Sequence, residues 1–273
     1  MTLATSDIDF LRTAIAKRSG NVISSGQAYL LEARLAPVAK SAGLEDVNAL
    51  VAELKNNSLN PLHDKVTEAM TINETSFFRD MQPFDALKDH VIPDLVEDRA
   101  ALRSLSIWSA AASSGQEAYS IAITIRTHFP KLKDWKVRIL GTDLSDDMVQ
   151  RTNDGTYSQF EVNRGLPASL LIRNFDKNGL NWKVKPELGE MVSAKKMNLT
   201  EKWTTITKHD VVFLRNVLIY FDLPTKAQIL RRIHESMRSD GYLFLGGGET
   251  LIQLDVPFER VTIGSTVAFR PSK

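Results

Sequence analysis

The residues best suited to bind a polar ligand lie in a short turn of small side chains. Residues 109–114 are all Ser or Ala, Gly115 follows them, and Glu117 opens the next apolar-faced segment. Small side chains let a ligand lie against bare backbone, and the N–H groups at a helix start attract polar groups. The turn has one Gly rather than the three of G-x-G-x-x-G, and it lacks the Lys-Ser/Thr of a P-loop. It therefore predicts a cofactor site without naming the cofactor. A buried strand–helix corner that binds nothing is the alternative.

A carboxylate follows at the position where the next strand ends. Residues 136–143 read Lys-Val-Arg-Ile-Leu-Gly-Thr-Asp, and Ser145 is a suitable N-cap for a helix. In α/β folds an acidic residue at this place holds ribose hydroxyls, although a cap or turn role for Asp143 is the simpler alternative. Because Asp143 lies one βαβ unit after the small turn, we favour the ligand role.

A third polar segment precedes both, at residues 70–80. It combines Asn73, Thr75 and Arg79 with two adjacent phenylalanines, Phe77 and Phe78. One interpretation is a hinge whose aromatic rings bury in the next domain. The other is that the polar side chains face a ligand while the phenylalanines anchor the segment. Spacing alone leaves both open.

The elements that must position these residues form two groups. Residues 5–70 show helical spacing and predict a four-helix bundle in which Pro37 kinks or splits the second helix. From residue 85 the pattern alternates helix and strand, with predicted strands at 104–109, 136–143, 210–214 and 242–246 and a final hairpin near 258–261 and 266–269. Asp240-Gly241 predicts a turn, and residues 155–200 predict a small antiparallel insert followed by a return strand. A parallel sheet closed by an antiparallel hairpin is the arrangement of class I methyltransferases.

Composition excludes several kinds of chemistry. The 273 residues carry a net charge of +1, contain no Cys, and include five scattered His. Disulfides, thiolate nucleophiles and Cys-ligated zinc are therefore excluded, and the His spacing predicts no metal site. Near-zero net charge argues against nucleic acid as a partner. The N-terminus lacks the basic head and apolar core of a signal peptide, and no apolar run is long enough to span a membrane, so we expect a cytoplasmic protein that does not insert into membranes.

Taken together, the motifs resemble one family, the chemoreceptor methyltransferases called CheR. The resemblance covers nearly the whole chain, with its motifs in the family's order. They are Thr71-Ile-Asn-Glu-Thr-Ser-Phe-Phe-Arg-Asp80, Trp108-Ser-Ala-Ala-Ala-Ser-Ser-Gly-Gln-Glu-Ala-Tyr-Ser120, Gly141-Thr-Asp143, Asn198-Leu199, Arg215-Asn-Val-Leu-Ile-Tyr-Phe-Asp222 and Leu245-Gly-Gly-Gly-Glu249.

The resemblance implies a class I S-adenosylmethionine-dependent methyltransferase fold, a Rossmann-like doubly wound α/β sheet with an antiparallel C-terminal hairpin. It implies a helical domain over residues 1–75, a linker over 76–90, and a catalytic domain over 91–273 with a small β subdomain at about 160–197. The expected reaction is methyl transfer from S-adenosylmethionine to glutamate side chains of chemoreceptors, without a metal. The cofactor contacts carried over by motif are Asn73, Thr75, Arg79, Glu117, Asp143, Asn198, Leu199, Asn216 and Val217. Arg79 and Tyr220 are the candidates for orienting the substrate.

Three departures from the family pattern affect the expected partners. Gln116 stands where the family usually has Glu, although Glu117 retains a carboxylate. The second helix keeps Arg34 and Lys40 but lacks a continuous basic face, which puts receptor docking there in doubt. The loop around residues 176–181 is short, so we expect weak or no binding of a receptor C-terminal tether peptide. Other candidate functions are a non-catalytic adaptor that binds the same cofactor in a receptor array, a nucleic-acid methyltransferase, and a nicotinamide-dependent dehydrogenase, which the missing glycine fingerprint disfavours.

Overall fold

A computed structural model of the chain describes residues 3–27, 29–203 and 207–272. The chain folds into two compact units. The first consists of the N-terminal residues up to Ile72 together with Asn198–Glu201 and Tyr220–Lys226. The second holds the remaining residues.

The first unit is built on four helices around its own apolar core. Leu11, Leu31, Leu35 and Leu50 are fully buried there, at the helical spacing that the sequence shows. The helices are α1 (Thr5–Ser19), α2 (Tyr29–Ser41), α3 (Val47–Asn56) and α4 (Leu62–Ala69).

Of the two effects predicted for Pro37, a kink or a split, the split of the second helix is wrong. Helix α2 runs without a break from Tyr29 to Ser41 with Pro37 inside it. Pro37 lies on the exposed face, whereas Leu35 and Ala39 on either side of it are buried. The carbonyl that loses its helical partner can therefore bond to water, and burial of the neighbouring side chains outweighs the helix-breaking effect of the proline.

The second unit contains a seven-stranded sheet in the order β6-β2-β1-β7-β8-β10-β9. The first five strands in this order are parallel, and β10 pairs antiparallel with both β8 and β9. The strands are β1 (Ser104–Ala110), β2 (Lys136–Asp143), β6 (Val192–Lys196), β7 (His209–Leu214), β8 (Met237–Leu245), β9 (Phe258–Ile263) and β10 (Thr266–Pro271). The predicted parallel sheet with a closing antiparallel hairpin is confirmed.

The strand register brings the predicted ligand residues to one edge of this sheet. Ala110 at the end of β1 is aligned with Thr142 of β2 and with Leu214 of β7. The small turn, Asp143 and Arg215 therefore all leave the sheet at its carboxyl edge, where ligands of open α/β sheets bind.

The predicted turn at Asp240-Gly241 is also wrong, because both residues lie inside β8. The pairing of β7 with β8 contains a register shift between His209 and Val211, which is a bulge. A Cβ on Gly241 would lie only 2.8 Å from the carbonyl oxygen of Asp210. This glycine therefore permits close backbone approach at a bulge rather than a reversal of the chain.

A separate three-stranded antiparallel sheet forms the predicted insert. Its order is β3-β5-β4, with β3 (Thr156–Ser158), β4 (Phe175–Asn178) and β5 (Asn181–Val184). The return strand after it is β6, which pairs parallel with β2. The helices of this unit are α5 (Gln82–Ala86), α6 (Ile92–Asp98), α7 (Gln116–His128), α8 (Asp146–Asp154), α9 (Gln159–Asn163), α10 (Ala168–Asn174), α11 (Pro186–Gly189) and α12 (Leu223–Glu235), the last of which begins in the first unit; a π-helical stretch (Leu87–Val91) joins α5 to α6.

The described part of the chain holds neither a membrane-spanning helix nor a metal-ligand cluster. None of the helices there combines the length and the apolar character needed to cross a bilayer. Within the same residues, no three His, Cys, Asp or Glu side chains come together as a metal-ligand group.

Candidate cofactor site

The small turn between β1 and α7 has an unusual backbone. Ala111, Ser113 and Gly115 all have left-handed φ values, of 57°, 51° and 93°. For a non-glycine residue this conformation costs about 1–2 kcal/mol, and such strain concentrates at functional sites. The side chains at these positions are short, so little besides backbone lies at the carboxyl end of β1.

Ser113 ties two predicted cofactor residues to this turn. Its backbone N–H donates to Oδ2 of Asp143 at 2.8 Å, and its hydroxyl donates to the carbonyl oxygen of Asn73 at 2.7 Å. The other carboxylate oxygen of Asp143 accepts from the N–H of Ser145 at 3.0 Å. Asp143 thus stabilises the turn, which is the simpler of the two roles considered for this residue.

Arg215 makes the corresponding connection for Glu117 and Arg79. Its Nη1 donates to Oε2 of Glu117 at 3.0 Å, and its Nη2 donates to the carbonyl oxygen of Arg79 at 2.8 Å and to Oδ2 of Asp80 at 2.9 Å. The Arg215 side chain is 1% exposed, and its Nε has no hydrogen-bond partner among the described residues. The second oxygen of Glu117 accepts from Ser109 Oγ at 2.7 Å. Glu117 is therefore charge-compensated by a buried guanidinium.

The phenylalanines of residues 70–80 are buried anchors, which both interpretations of this segment expect, so their burial does not decide between the two. Phe77 is fully buried and packs edge-on against Tyr157 and Phe175. The N–H of Phe78 donates to Ser120 Oγ at 2.9 Å, which fixes the segment to α7. The side chains of Thr75 and Arg79 remain half-buried beside these anchors.

Asn216 and Val217 follow Arg215 where β7 ends. Asn216 is left-handed, with a φ of 58°. The N–H groups of both residues donate to the carboxylate of Glu249, at 2.7 and 2.9 Å. The turn that contains these two predicted cofactor residues is thus held by the side chain of Glu249, which is 33 positions away from Asn216 in the sequence.

The remaining predicted residues, Asn198, Leu199 and Tyr220, belong to the first unit. Asn198 Nδ2 donates to the carbonyl oxygen of Arg18 at 2.6 Å, and its Oδ1 accepts from the N–H of Thr200 at 3.0 Å. Leu199 is buried. Tyr220 is half-buried, and its carbonyl oxygen accepts from the N–H of Val22 at 3.0 Å.

Three residues that organise the site were not predicted as functional: Ser113, Arg215 and Glu249. Each acts on the backbone or on another side chain of the site. The sequence offered a weak signal for each, since Ser113 lies in the small turn, Arg215 opens the Arg-Asn motif and Glu249 ends the Gly-Gly-Gly-Glu motif.

The sheet order, the closing hairpin and the carboxylate after the second strand together define a class I S-adenosylmethionine-dependent methyltransferase. A family model described as the CheR methyltransferase, SAM binding domain, matches residues 73–267. A chemotaxis protein methyltransferase of Pseudomonas aeruginosa is 38% identical over 99% of both chains. Similar proteins of this name occur in Pseudomonas putida, 36% identical over 98% of this chain and 99% of the relative, and in Vibrio cholerae, 34% identical over 96% and 95%. The chain belongs to the CheR methyltransferase family.

The residues at the carboxyl edge fit this cofactor. S-adenosylmethionine presents an ammonium group, a ribose diol and an adenine ring. Two carboxylates, Glu117 and Asp143, lie at this edge, and their charge and acceptor oxygens suit the ammonium group and the diol. The turn of Ser and Ala residues leaves backbone rather than long side chains at the edge of β1.

Proposed function

We propose that this enzyme transfers a methyl group from S-adenosylmethionine to glutamate side chains of chemoreceptors, forming glutamyl methyl esters in chemotaxis. The observation that carries the proposal is the nearly full-length similarity to proteins named chemotaxis protein methyltransferases. The carboxylates and small turn at the carboxyl edge of the sheet supply the chemical basis.

In this proposal the cofactor is held by residues from four motifs of the second unit. Glu117 pairs with the ammonium group, and Asp143 accepts from the ribose hydroxyls. Asn73, Thr75, Arg79, Asn216 and Val217 complete this set, and Asn198 and Leu199 are further candidates carried over by motif alone. When bound, S-adenosylmethionine supplies a methyl group on a positively charged sulfur, which is already an activated electrophile.

The chemistry asked of the chain is mainly positioning. An acceptor glutamate is ionised near neutral pH, since its reference pKa is about 4.3, so no general base is required. Holding two reactants in line can contribute about 7–11 kcal/mol at best. Exclusion of water would strengthen the attraction between carboxylate and sulfonium without preserving a charge in the transition state.

Arg79 is the proposed group for orienting the acceptor carboxylate. Its backbone is fixed by Arg215 and by the buried neighbour Phe78. Among the described residues its guanidinium makes one hydrogen bond, from Nη1 to the carbonyl oxygen of Glu74 at 3.2 Å, so most of its donors remain available. A bidentate pair would orient the carboxylate, provided that the attacking oxygen is left uncapped. Tyr220 is the second candidate for contact with the acceptor.

The proposed partners are the cytoplasmic domains of methyl-accepting chemotaxis receptors, and the enzyme is accordingly placed in the cytoplasm. We expect no nucleic-acid partner and no requirement for a metal. Binding of a receptor C-terminal tether peptide is expected to be weak or absent, because the β4–β5 connection consists only of Gly179 and Leu180. The helical domain of residues 1–75 and the catalytic domain of residues 91–273 are the proposed functional division.

The proposal is tested by incubating the enzyme with labelled S-adenosylmethionine and purified receptor cytoplasmic domains. The label should enter the receptor and leave as methanol in mild base, as expected of a carboxyl methyl ester. Base-stable label, or none, would refute the proposal. Arg79→Ala should lower kcat by much more than it weakens S-adenosylhomocysteine binding, whereas Arg231→Ala, on the exposed face of α12, serves as the matched control. Equal losses in kcat and affinity would contradict the orienting role of Arg79.

A further inference from the structure

The carboxylate of Glu249 lies among the backbone N–H groups of two separate segments. Its Oε2 accepts from the N–H of Asn216 at 2.7 Å and of Gly246 at 2.8 Å. Its Oε1 accepts from the N–H of Val217 at 2.9 Å and of Ile219 at 3.3 Å. One side chain thus joins the turn after β7 to the turn after β8, the two neighbouring strands whose carboxyl ends adjoin the site.

The turn after β7 depends on such an acceptor. Asn216 has a left-handed φ of 58°, and a short 3-10 turn from Leu218 to Tyr220 follows it. The backbone N–H groups of residues 216, 217 and 219 point to one place, as in an anion-binding nest. Hydrogen bonds to a charged acceptor are roughly twice as strong as neutral ones, so Glu249 stabilises this backbone conformation.

Gly246 provides the space that the carboxylate needs. A Cβ at Gly246 would lie 2.7 Å from Asn216 Nδ2, 2.8 Å from Glu249 Oε2 and 2.9 Å from the Asn216 backbone nitrogen. A Cβ at Gly247 or Gly248 would meet nothing within 4 Å, and none of the three glycines has a positive φ. The first glycine of the triplet is therefore required by close packing, and the other two are not.

We propose that Glu249 is a positioning residue for cofactor binding. It fixes the backbone of Asn216 and Val217 in the conformation that contacts S-adenosylmethionine, without touching the cofactor itself. The inference rests on the proposed function, because these two residues are proposed cofactor contacts.

The first test uses Glu249→Gln, with Glu259→Gln on the exposed strand β9 as the matched control. A glutamine can offer its single oxygen to only one of the two N–H pairs, and its amide group faces the other pair with donors. We expect S-adenosylhomocysteine affinity, measured by calorimetry, to fall by about tenfold or more, which corresponds to ~1.4 kcal/mol. The KM for S-adenosylmethionine should rise likewise, while kcat at saturating cofactor stays within about twofold.

Hydrogen exchange of the ligand-free protein supplies a readout independent of activity. In Glu249→Gln the amides of residues 216, 217 and 219 should exchange about tenfold faster or more, since Glu249 is their acceptor. The control Glu259→Gln should leave both affinity and exchange at the wild-type level. Unchanged exchange at these three amides, or a lowered thermal midpoint with unchanged affinity, would overturn the positioning role.

The glycine triplet gives a second test that does not depend on the folding of Glu249 variants. Gly246→Ala should reproduce the loss of affinity, whereas Gly247→Ala and Gly248→Ala should bind like wild type. Equal affinities for all three alanine variants would overturn the inference. If the wild-type protein bound S-adenosylhomocysteine but the Glu249 and Gly246 variants bound it equally well, only this inference would fail. Failure of the wild type to bind would refute the proposed function as well.

Discussion

Replacing Arg215 by Met tests whether one buried guanidinium holds the site together. Methionine keeps an unbranched side chain of similar reach but has no charge and no N–H donor. The substitution removes three hydrogen bonds, which run to Glu117, to Asp80 and to the carbonyl oxygen of Arg79. Among the described residues, it leaves the Glu117 carboxylate with the hydroxyl of Ser109 as its remaining side-chain partner.

The magnitude follows from the burial of each partner. The Asp80 side chain is 50% exposed, so its ion pair contributes less than about 1 kcal/mol. The Glu117 side chain is 13% exposed and the Arg215 side chain 1%, so removing Arg215 leaves a nearly buried carboxylate without its counter-ion. Removing one partner of a buried ion pair lowers the free energy of unfolding by about 3–5 kcal/mol. At about 2–4 °C per kcal/mol for a chain of this size, the thermal midpoint should fall by ~6–20 °C.

A double variant isolates the cause of this loss. Arg215→Met combined with Glu117→Gln removes the stranded charge, so it should be more stable than Arg215→Met alone by about 1–3 kcal/mol. Differential scanning calorimetry of the wild type, both single variants and the double variant measures this coupling. Arg231→Met, on the surface, should change stability by less than about 0.5 kcal/mol. If the double variant were less stable than Arg215→Met, the stranded carboxylate could not be the reason for the loss.

Three further predictions concern acid stability, backbone contact and cofactor affinity. Burial lowers the pKa of His209 to about 4, so between pH 6.5 and 4 the folded state binds fewer protons than the unfolded state. The free energy of unfolding should therefore be unaffected above pH ~6.5 and fall by about 3 kcal/mol as the pH drops to 4. Acid denaturation followed by circular dichroism should show that this loss is absent from His209→Gln. Gly165→Ala places a Cβ 2.0 Å from the Phe77 carbonyl oxygen, whereas Gly179, which also has a positive φ, has open space around its Cβ position. Only Gly165→Ala should weaken S-adenosylhomocysteine binding, and equal binding by the two variants would refute a role for this contact. Asp143→Ala should weaken that binding in calorimetry, and unchanged affinity would remove Asp143 from the site.

The parts of the fold that the sequence predicts well are those fixed by local pattern. Strand β1, the small turn and α7 are contiguous, and their change from alternating to helical periodicity marks each boundary. The C-terminal hairpin is also predicted from a local pattern, because its two strands, β9 and β10, are adjacent in sequence. The turn predicted at Asp240-Gly241 is wrong because that dipeptide is equally suited to a bulge, and only the pairing of β8 with β7 decides between the two.

The organising side chains could not be predicted, because their partners are distant in sequence. Arg215 and Glu117 are 98 positions apart, and Glu249 and Asn216 are 33 apart. The strand order β1-β7-β8 brings these residues to one edge. A motif identifies a residue as a candidate for the site, but topology determines whether it binds the ligand or another part of the protein.

Backbone strain explains why the site needs so many organising side chains. Among the described residues, seven non-glycine residues have positive φ, and five of them lie in the three segments that form the site: Phe78, Asp80, Ala111, Ser113 and Asn216. At about 1–2 kcal/mol each, this strain approaches the whole stability of a typical domain. Each of the three segments is also held by a charged side chain: Arg215 binds the carbonyl of Arg79, Asp143 binds the N–H of Ser113, and Glu249 binds the N–H of Asn216. These bonds to charged groups offset the strain locally and hold each of the three segments in its observed conformation.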